Sequence, residues 1–514
     1  MKKTKNKKVR YGGVAIAVTV LVICAAVILN VIVAMLSARY EWMYVNMNAK
    51  TVYSISDNCR DYVEEYVISE VDRKNGQTGE DEKIKITFCD SQKNIEADEG
   101  LKNIYDSIME LSGMFSGYIE TAHLDIWEDP SVAREYGVTS TADVICEFYD
   151  RFETVNFADF YITDPQDGET AIAYNGEKIL ASCLMRITQA ETAHCYFTVN
   201  HGENIEDLSL MRVMIEAGYT VGFIDLSSEE IPEDCELLIT YAPARDAAVE
   251  QEGVDEIAML REYMLSGGRY MVFINADTYA AGAHKNFEGL LEEWGVTFDH
   301  RTSTDGIEQS YIIRDMQNSL TVDGYTVISK NAEAGMGSDA LSSVNYPNAF
   351  GNATSISFAK DFLSDGNGNY TRIEGDVKKT VAPLLVTHSS AQAWMGGITV
   401  ARADEQPFVM MSITKSETAG GEDGYLVACT STEFASIEKL QSAVLGNART
   451  LTEVVRYMGR DNAPSSLTFK SFSGTKIESL TTSVANTYTV VLAVVPAAIV
   501  AVSGAVILIR RKYL

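Results

Sequence analysis

Residues 195–206 read CYFTVNHGENIE. An apolar run ends at Asn200-His201-Gly202-Glu203, and a helical pattern begins at once, NIEDLSLMRVMIEAG, with Leu208, Met211, Met214 and Ile215 toward one apolar face and Gly218 as its stop. This is a strand, a turn that Gly202 permits, and a helix start. The same alternation continues downstream through TVGFIDL, ELLITYAP, VDEIAMLREYMLSGG, RYMVFIN, KNFEGLLEEWG and VTFD. Strands that alternate with helices build a mostly parallel sheet covered on both faces, so the fold class is α/β. The opening stretch starts the larger unit, 191–300.

Upstream, 83–190 has a second pattern of the same kind. It runs IKITFCD, LKNIYDSIMELSGMF, YIETAHLDI, PSVAREYG, ADVICEFYD and FADFYI. That order suggests a thioredoxin-like unit, but no CxxC occurs and thiol redox chemistry of that type is unavailable. Residues 37–82 read as a helix, capped by Ser56 or Asp57, followed by a polar linker from Asp72. Beyond 300 the pattern weakens into a loop-rich β insertion, 301–423, before GYLVACTS and ARTLTEVVRYMG (424–460) return to the larger unit. The stretch 461–487 is polar.

The two ends differ from everything between them. Residues 14–36 (VAIAVTVLVICAAVILNVIVAML) and 488–509 (YTVVLAVVPAAIVAVSGAVILI) carry no charge and are long enough to cross a hydrocarbon core of about 30 Å. Basic flanks lie on the terminal side of each, in tails 1–13 and 510–514, which predicts a two-pass protein of the cell membrane with both termini cytoplasmic and a large extracytoplasmic domain. The chain is 46% hydrophobic and 22% charged, with a formal charge of −30 despite those basic ends. So acidic a middle would repel phosphate backbones, which argues against nucleic-acid binding. Of the eight cysteines, Cys59, Cys89, Cys146, Cys183, Cys195, Cys235 and Cys429 lie between the two stretches, several within apolar runs where a thiol acts as a small buried hydrophobe.

Signatures of chemistry are mostly missing. There is no GxSxG, GxxxxGK[ST] or HExxH, and no GxGxxG after a strand. The histidines His123, His194, His201, His284, His300 and His388 show no metal-ligand spacing, so neither a metal nor a cofactor is implied. His201, Gly202 and Glu203 remain as candidate ligand-binding residues because they sit at the carboxyl edge of the sheet, where such folds bind ligands. Asp246 in APARDAAVEQEG joins them, although its first reading is the cap of the helix that follows.

An ordered series of stretches resembles a known family. KTVYSIS, DPSVAREYGV, AIAYNGEKIL, TVNHGE, IPEDCELLITYAPARD, YMLSGGRYMVFI, PLLVTHSSAQAW and PFVMMSIT occur in the order seen in the GldG-type auxiliary subunit of ABC transporters. The resemblance implies a non-enzymatic partner of an ABC ATPase and permease, in export or motility, contacting a transported substrate or cell-envelope component. It implies a flavodoxin-like, glutamine-amidotransferase-like second unit. An active enzyme of that fold carries a nucleophilic cysteine on a strained turn after its third strand; here Leu237 to Pro243 are followed by none. The alternatives are an extracytoplasmic hydrolase using paired carboxylates and a stand-alone envelope binding protein.

Overall fold

A computed structural model describes residues 52–472 apart from the short stretches 128–129, 166, 204–208, 250–253, 275, 277–283, 303–307, 405, 419–420 and 443. The chain divides into two units, Met1–Ser54 and Ile55–Leu514, and every element below belongs to the second.

Ser56 starts the first helical run: its hydroxyl accepts the Cys59 N–H at 3.2 Å and so satisfies one of the helix's orphan donors. The run passes from Asp57–Tyr62 through a π-type turn at Val63–Ile68 into Ser69–Thr78, and Gly79 ends it at φ +75°. Asp72 to Thr78, expected to be linker, are therefore helical, and only Gly79 to Lys83 connect the run to the next strand. Asp72 to Thr78 keep an exposed face and need no apolar periodicity, while Val71 alone of this last segment is buried.

Four strands follow, β1 (Ile84–Phe88), β2 (Ile119–His123), β3 (Asp143–Phe148) and β4 (Arg151–Asn156), in the spatial order β2-β1-β3-β4. β1 and β2 are parallel, and β3 runs antiparallel to both its neighbours. Helix α1 (Glu99–Met114) is capped by Asp98, which accepts the N–H groups of Gly100 and Leu101, and buries Ile104, Ile108 and Leu111. Helix α2 (Gly176–Thr188) follows, buried along most of its length.

The second sheet is larger, with 13 strands. Its main path uses β5 (His194–Thr198), β6 (Thr220–Ile224), β7 (Cys235–Tyr241), β8 (Arg269–Phe273), β9 (Thr326–Asn331), β10 (Asn348–Gly351), β11 (Val377–Thr387), β12 (Val409–Thr418) and β13 (Gly424–Cys429). In space they run β10-β9-β11-β12-β13-β8-β7-β5-β6. The last five are mutually parallel, and β12, β11, β9 and β10 continue the same sheet antiparallel. The 301–423 stretch thus contributes long strands to this sheet. Their weak sequence signal has a physical source: β11 carries Lys378, Lys379 and Thr380 on its projecting end, and from Val381 on all its residues but Pro383 are buried.

Alternation explains the packing. Leu237, Ile239, Met271, Phe273, Val427 and Cys429 face one core, while Leu238, Tyr270, Val272, Leu426 and Ala428 face the other. Helices α3 (Ser209–Glu216) and α6 (Asn447–Tyr457) cover the first face, and α4 (Glu256–Leu265) with α5 (Lys285–Glu293) cover the second. Each strand side chain withdrawn from water contributes about 1.5–3 kcal/mol, which is why these strands read as continuous apolar runs. In α3, Leu210, Val213 and Met214 are buried, while Met211 is half-buried and Ile215 is 40% exposed, so the buried stripe is turned round the helix from the one the sequence suggests. The seven cysteines from Cys59 to Cys429 are all buried and unbridged.

The expected two-pass membrane topology, the cell-membrane location and the descriptions built on them are corrected. Among the described residues no helix is long and apolar enough to cross a membrane. α1, with 16 residues, rises only about 24 Å against about 30 Å of hydrocarbon, and the longer 57–78 run carries Asp57, Arg60, Asp61, Glu64 and Glu65. The stretches 14–36 and 488–509 that prompted the expectation lie outside the described residues.

Candidate functional site

The carboxyl edge of the parallel sheet is where β5 and β7 end in adjacent loops. After β5, Asn200 and Gly202 take left-handed backbone, φ +81° and +78°. A Cβ on Gly202 would lie 3.1 Å from that of Ala244 in the neighbouring loop, so glycine serves both the turn and the close approach. The His201 carbonyl accepts the N–H groups of Ala244 and Arg245, each at 3.0 Å, and the Arg245 guanidinium donates to the Asn200 carbonyl at 2.5 Å. These bonds fasten the two loops together and aim the His201 ring inward.

There His201 meets two carboxylates. Its Nε2 is 3.0 Å from Glu256 Oε2, and its Nδ1 is 3.4 Å from Glu203 Oε1. Both glutamate side chains are 1% exposed. Glu203 folds back on its own turn, accepting the His201 backbone N–H at 2.6 Å and the Thr198 hydroxyl at 3.1 Å. Glu256 comes from the first turn of α4, and its Oε2 also accepts the Ala248 N–H at 2.5 Å. Hydroxyls extend the network across three strands: Tyr270 donates to Thr240 at 2.7 Å, and Thr240 and Thr198 share a bond of 2.9 Å. Thr240 passes its own hydrogen to Thr198, which passes its hydrogen to Glu203, so each hydroxyl both accepts and donates.

The electrostatics follow from this geometry. Hydrogen bonds to Glu203 and then Glu256 outweigh burial and push His201 up to about 10. Burial opposes charge on Glu203, but the His201 side chain and backbone N–H groups overcome it and hold the carboxyl below its ordinary range. At neutral pH His201 is an imidazolium with both nitrogens donating, and such a ring has no lone pair with which to act as a base. The space beside the trio is about 20 Å³, room for roughly one water and no substrate.

The turn after β7 carries a second observation. Ala242 sits at φ +55°, immediately past the strand, with its N–H bonded to the Phe273 carbonyl at 2.8 Å. Left-handed backbone costs a non-glycine residue roughly 1–2 kcal/mol, and such strain is characteristic of functional turns. Here the strained position holds a methyl group. Cys235 begins the same strand at its opposite, amino end, with its thiol directed at the Leu237 carbonyl and the Tyr263 hydroxyl, 3.6 Å from each.

The Asp246 carboxylate bonds away from the His201 trio. Asp246 caps a helix, but not the next one in sequence: its carboxylate accepts the N–H groups of Asn286 and Phe287 at the start of α5, each at 3.0 Å. α4 is capped instead by Asp255, which accepts the Ala258 N–H at 2.8 Å. The structure thus brings His201, Gly202 and Glu203 together and adds Glu256, Thr198, Thr240 and Tyr270, which sequence reasoning did not single out. Glu256 in VDEIAML carries no local mark of burial, since an acid in a first helical turn is ordinary. Among the described residues no group of three or more His, Cys, Asp or Glu is arranged to hold a metal ion.

Comparison with known proteins adds little. No family model matches the chain, and no curated protein matches it. Among solved structures it is similar to the mmIFT52 N-terminal domain (14% identity, TM-score 0.36, covering 52% of this chain and 97% of that one). It is also similar to PurLQS from Thermotoga maritima (12%, TM-score 0.25, 52% of this chain and 100% of that one). A β-galactosidase from Rahnella sp. R3 shares 12% identity at TM-score 0.23, over 51% of this chain and 32% of its own. Likenesses at these scores assign neither a family nor an activity.

Proposed function

We propose that this chain is a non-enzymatic auxiliary subunit of an ABC-type transport system, a GldG-type protein whose α/β body serves binding and assembly. ATP hydrolysis is supplied by a partner ATPase, and a permease is the second partner. The observation that carries the non-enzymatic part is Ala242: the left-handed turn after β7 is kept, and no nucleophile stands on it. The closed trio beside it supports the same reading, because His201 is spent on Glu203 and Glu256. A hydrolase using paired carboxylates would need them open to substrate.

Two finer assignments belong to this proposal. The β2-β1-β3-β4 order with β3 antiparallel supports a thioredoxin-like first unit. The parallel order β6-β5-β7-β8-β13 is the 2-1-3-4-5 order of flavodoxin-like sheets and supports an amidotransferase-like second unit. The stretches behind the family resemblance, IPEDCELLITYAPARD, SGGRYMVFI, PLLVTH and PFVMMSIT, fall on β7, β8, β11 and β12 of one sheet. Affinity purification of the full chain from its native cells tests the proposal: an ABC ATPase and permease co-purify. Repeated recovery of neither, or hydrolase turnover that vanishes in His201→Ala, sinks it.

A further inference from the structure

On the first face of the large sheet, α3 turns Ser209, Arg212, Val213 and Glu216 to one side, the i, i+3, i+4, i+7 spacing of a single helical face. That face borders a cavity of about 540 Å³, walled further by Ile162, the start of α2, Ile437 to Ser442, Leu445, α6 and segment 464–469. Pockets for small organic ligands span about 300–1,000 Å³. Much of the wall is apolar, including Ile162, Leu440, Leu445, Ala448, Leu467 and Phe469.

The polar part is unbalanced. Glu216 is bound by Lys178 Nζ at 2.8 Å, Arg212 Nε at 3.2 Å and Asn175 Nδ2 at 3.0 Å. Burial opposes its charge, but the two cations hold its carboxyl below the ordinary range. One carboxylate therefore meets two cations, and a third, Arg449, lines the cavity with its Nε buried and without a hydrogen-bond partner. Asn175 is 4% exposed; its amide nitrogen serves Glu216, while its Oδ1 is buried and unpartnered. Gln441 Oε1, also in the wall, is likewise buried and unpartnered. An unmet buried polar atom costs about 1–3 kcal/mol, and native proteins leave few of them. All three belong to residues that line one roomy cavity, and an occupant that the side chains turn to meet would remove that cost.

The required chemistry is an anion for a guanidinium, N–H donors for two amide oxygens, and an apolar body. We propose that this cavity binds a short apolar peptide with a free carboxylate. Arg449 takes the carboxylate, Asn175 and Gln441 accept peptide N–H groups, and apolar side chains lie on the wall formed by Leu440, Ala448, Leu467 and Phe469. Nothing in this assignment depends on the transport reading. A free phosphate-bearing lipid fragment would satisfy Arg449 but not the two acceptors.

Titration calorimetry of the full chain with N-acetyl-Leu-Leu, its C-terminal amide and a medium-chain alkyl phosphate tests it. The acid binds, and the amide binds at least roughly tenfold more weakly, because the charge-assisted pair is lost. Arg449→Gln weakens the acid by a similar factor and removes the difference between acid and amide. Ala448→Phe, which fills the cavity, abolishes binding, and an unchanged thermal midpoint in either variant shows that the fold is intact. Absence of acid binding up to about 1 mM, as for a merely water-filled cavity, overturns the proposal. So does equal affinity for the amide, or tighter binding of the alkyl phosphate than of the peptide acid.

Discussion

The two polar clusters of the large sheet make opposite use of buried charge. At the carboxyl edge, His201 sits between Glu203 and Glu256, hydroxyls from three strands complete the network, and about 20 Å³ of space is left. On the α3 face, Lys178, Arg212 and Arg449 exceed the single Glu216, residues with unmet acceptors line about 540 Å³, and apolar walls surround them. A closed cluster satisfies its own groups and so fastens loops together. An open one leaves groups that only another molecule can satisfy. Position at the edge where α/β folds usually bind is therefore a weaker guide than the balance of donors and acceptors around a space.

The sharpest way to break this comparison is to remove the cation from the closed cluster. His201→Ala leaves two buried carboxylates without their partner and should cost about 3–5 kcal/mol in urea unfolding; a cost under about 1 kcal/mol would show that the trio does not hold the edge together. A pH series gives a smaller effect with a definite sign. His201 is raised from its unfolded value near 6.5 to about 10, so its contribution is complete below about 6.5 and is lost as pH rises through about 10. Thermal midpoints should therefore fall from pH 7 to 10 in the parent chain, and His201→Gln should flatten that part of the profile. At acid pH the sign reverses for Glu203: held below its ordinary range, it loses its contribution as pH falls through its folded value.

Gly202→Ala should cost roughly 1–2 kcal/mol, because φ +78° disfavours any side chain and the new Cβ meets that of Ala244. Equal denaturation midpoints for both chains would show that the loop has room to relax. The smallest effect belongs to the open cluster. Arg449→Gln should not destabilise the fold, since the buried Arg449 Nε has no hydrogen-bond partner to lose. A loss as large as that of His201→Ala would make the two clusters alike and remove the contrast.

The sequence alone determined the α/β alternation, because a strand buried on both faces must be an apolar run and its covering helix must show a narrower stripe. Leu237 to Tyr241 and Arg269 to Phe273 were legible for that reason, as was the turn at Gly202, whose left-handed backbone only a few residues tolerate. Asp246 was legible as a cap, but not the helix it caps, since its partners Asn286 and Phe287 arrive from another element. The 301–423 strands were faint because half-exposed ends interrupt their alternation. Tertiary structure decided the rest: that Glu256 closes on His201, that Ala242 occupies a strained turn, and that residues from Ile162 to Phe469 surround one cavity. Hydrophobic periodicity is a property of neighbouring residues and can be read along a chain. Charge balance is a property of a volume, and it exists only once distant residues share it.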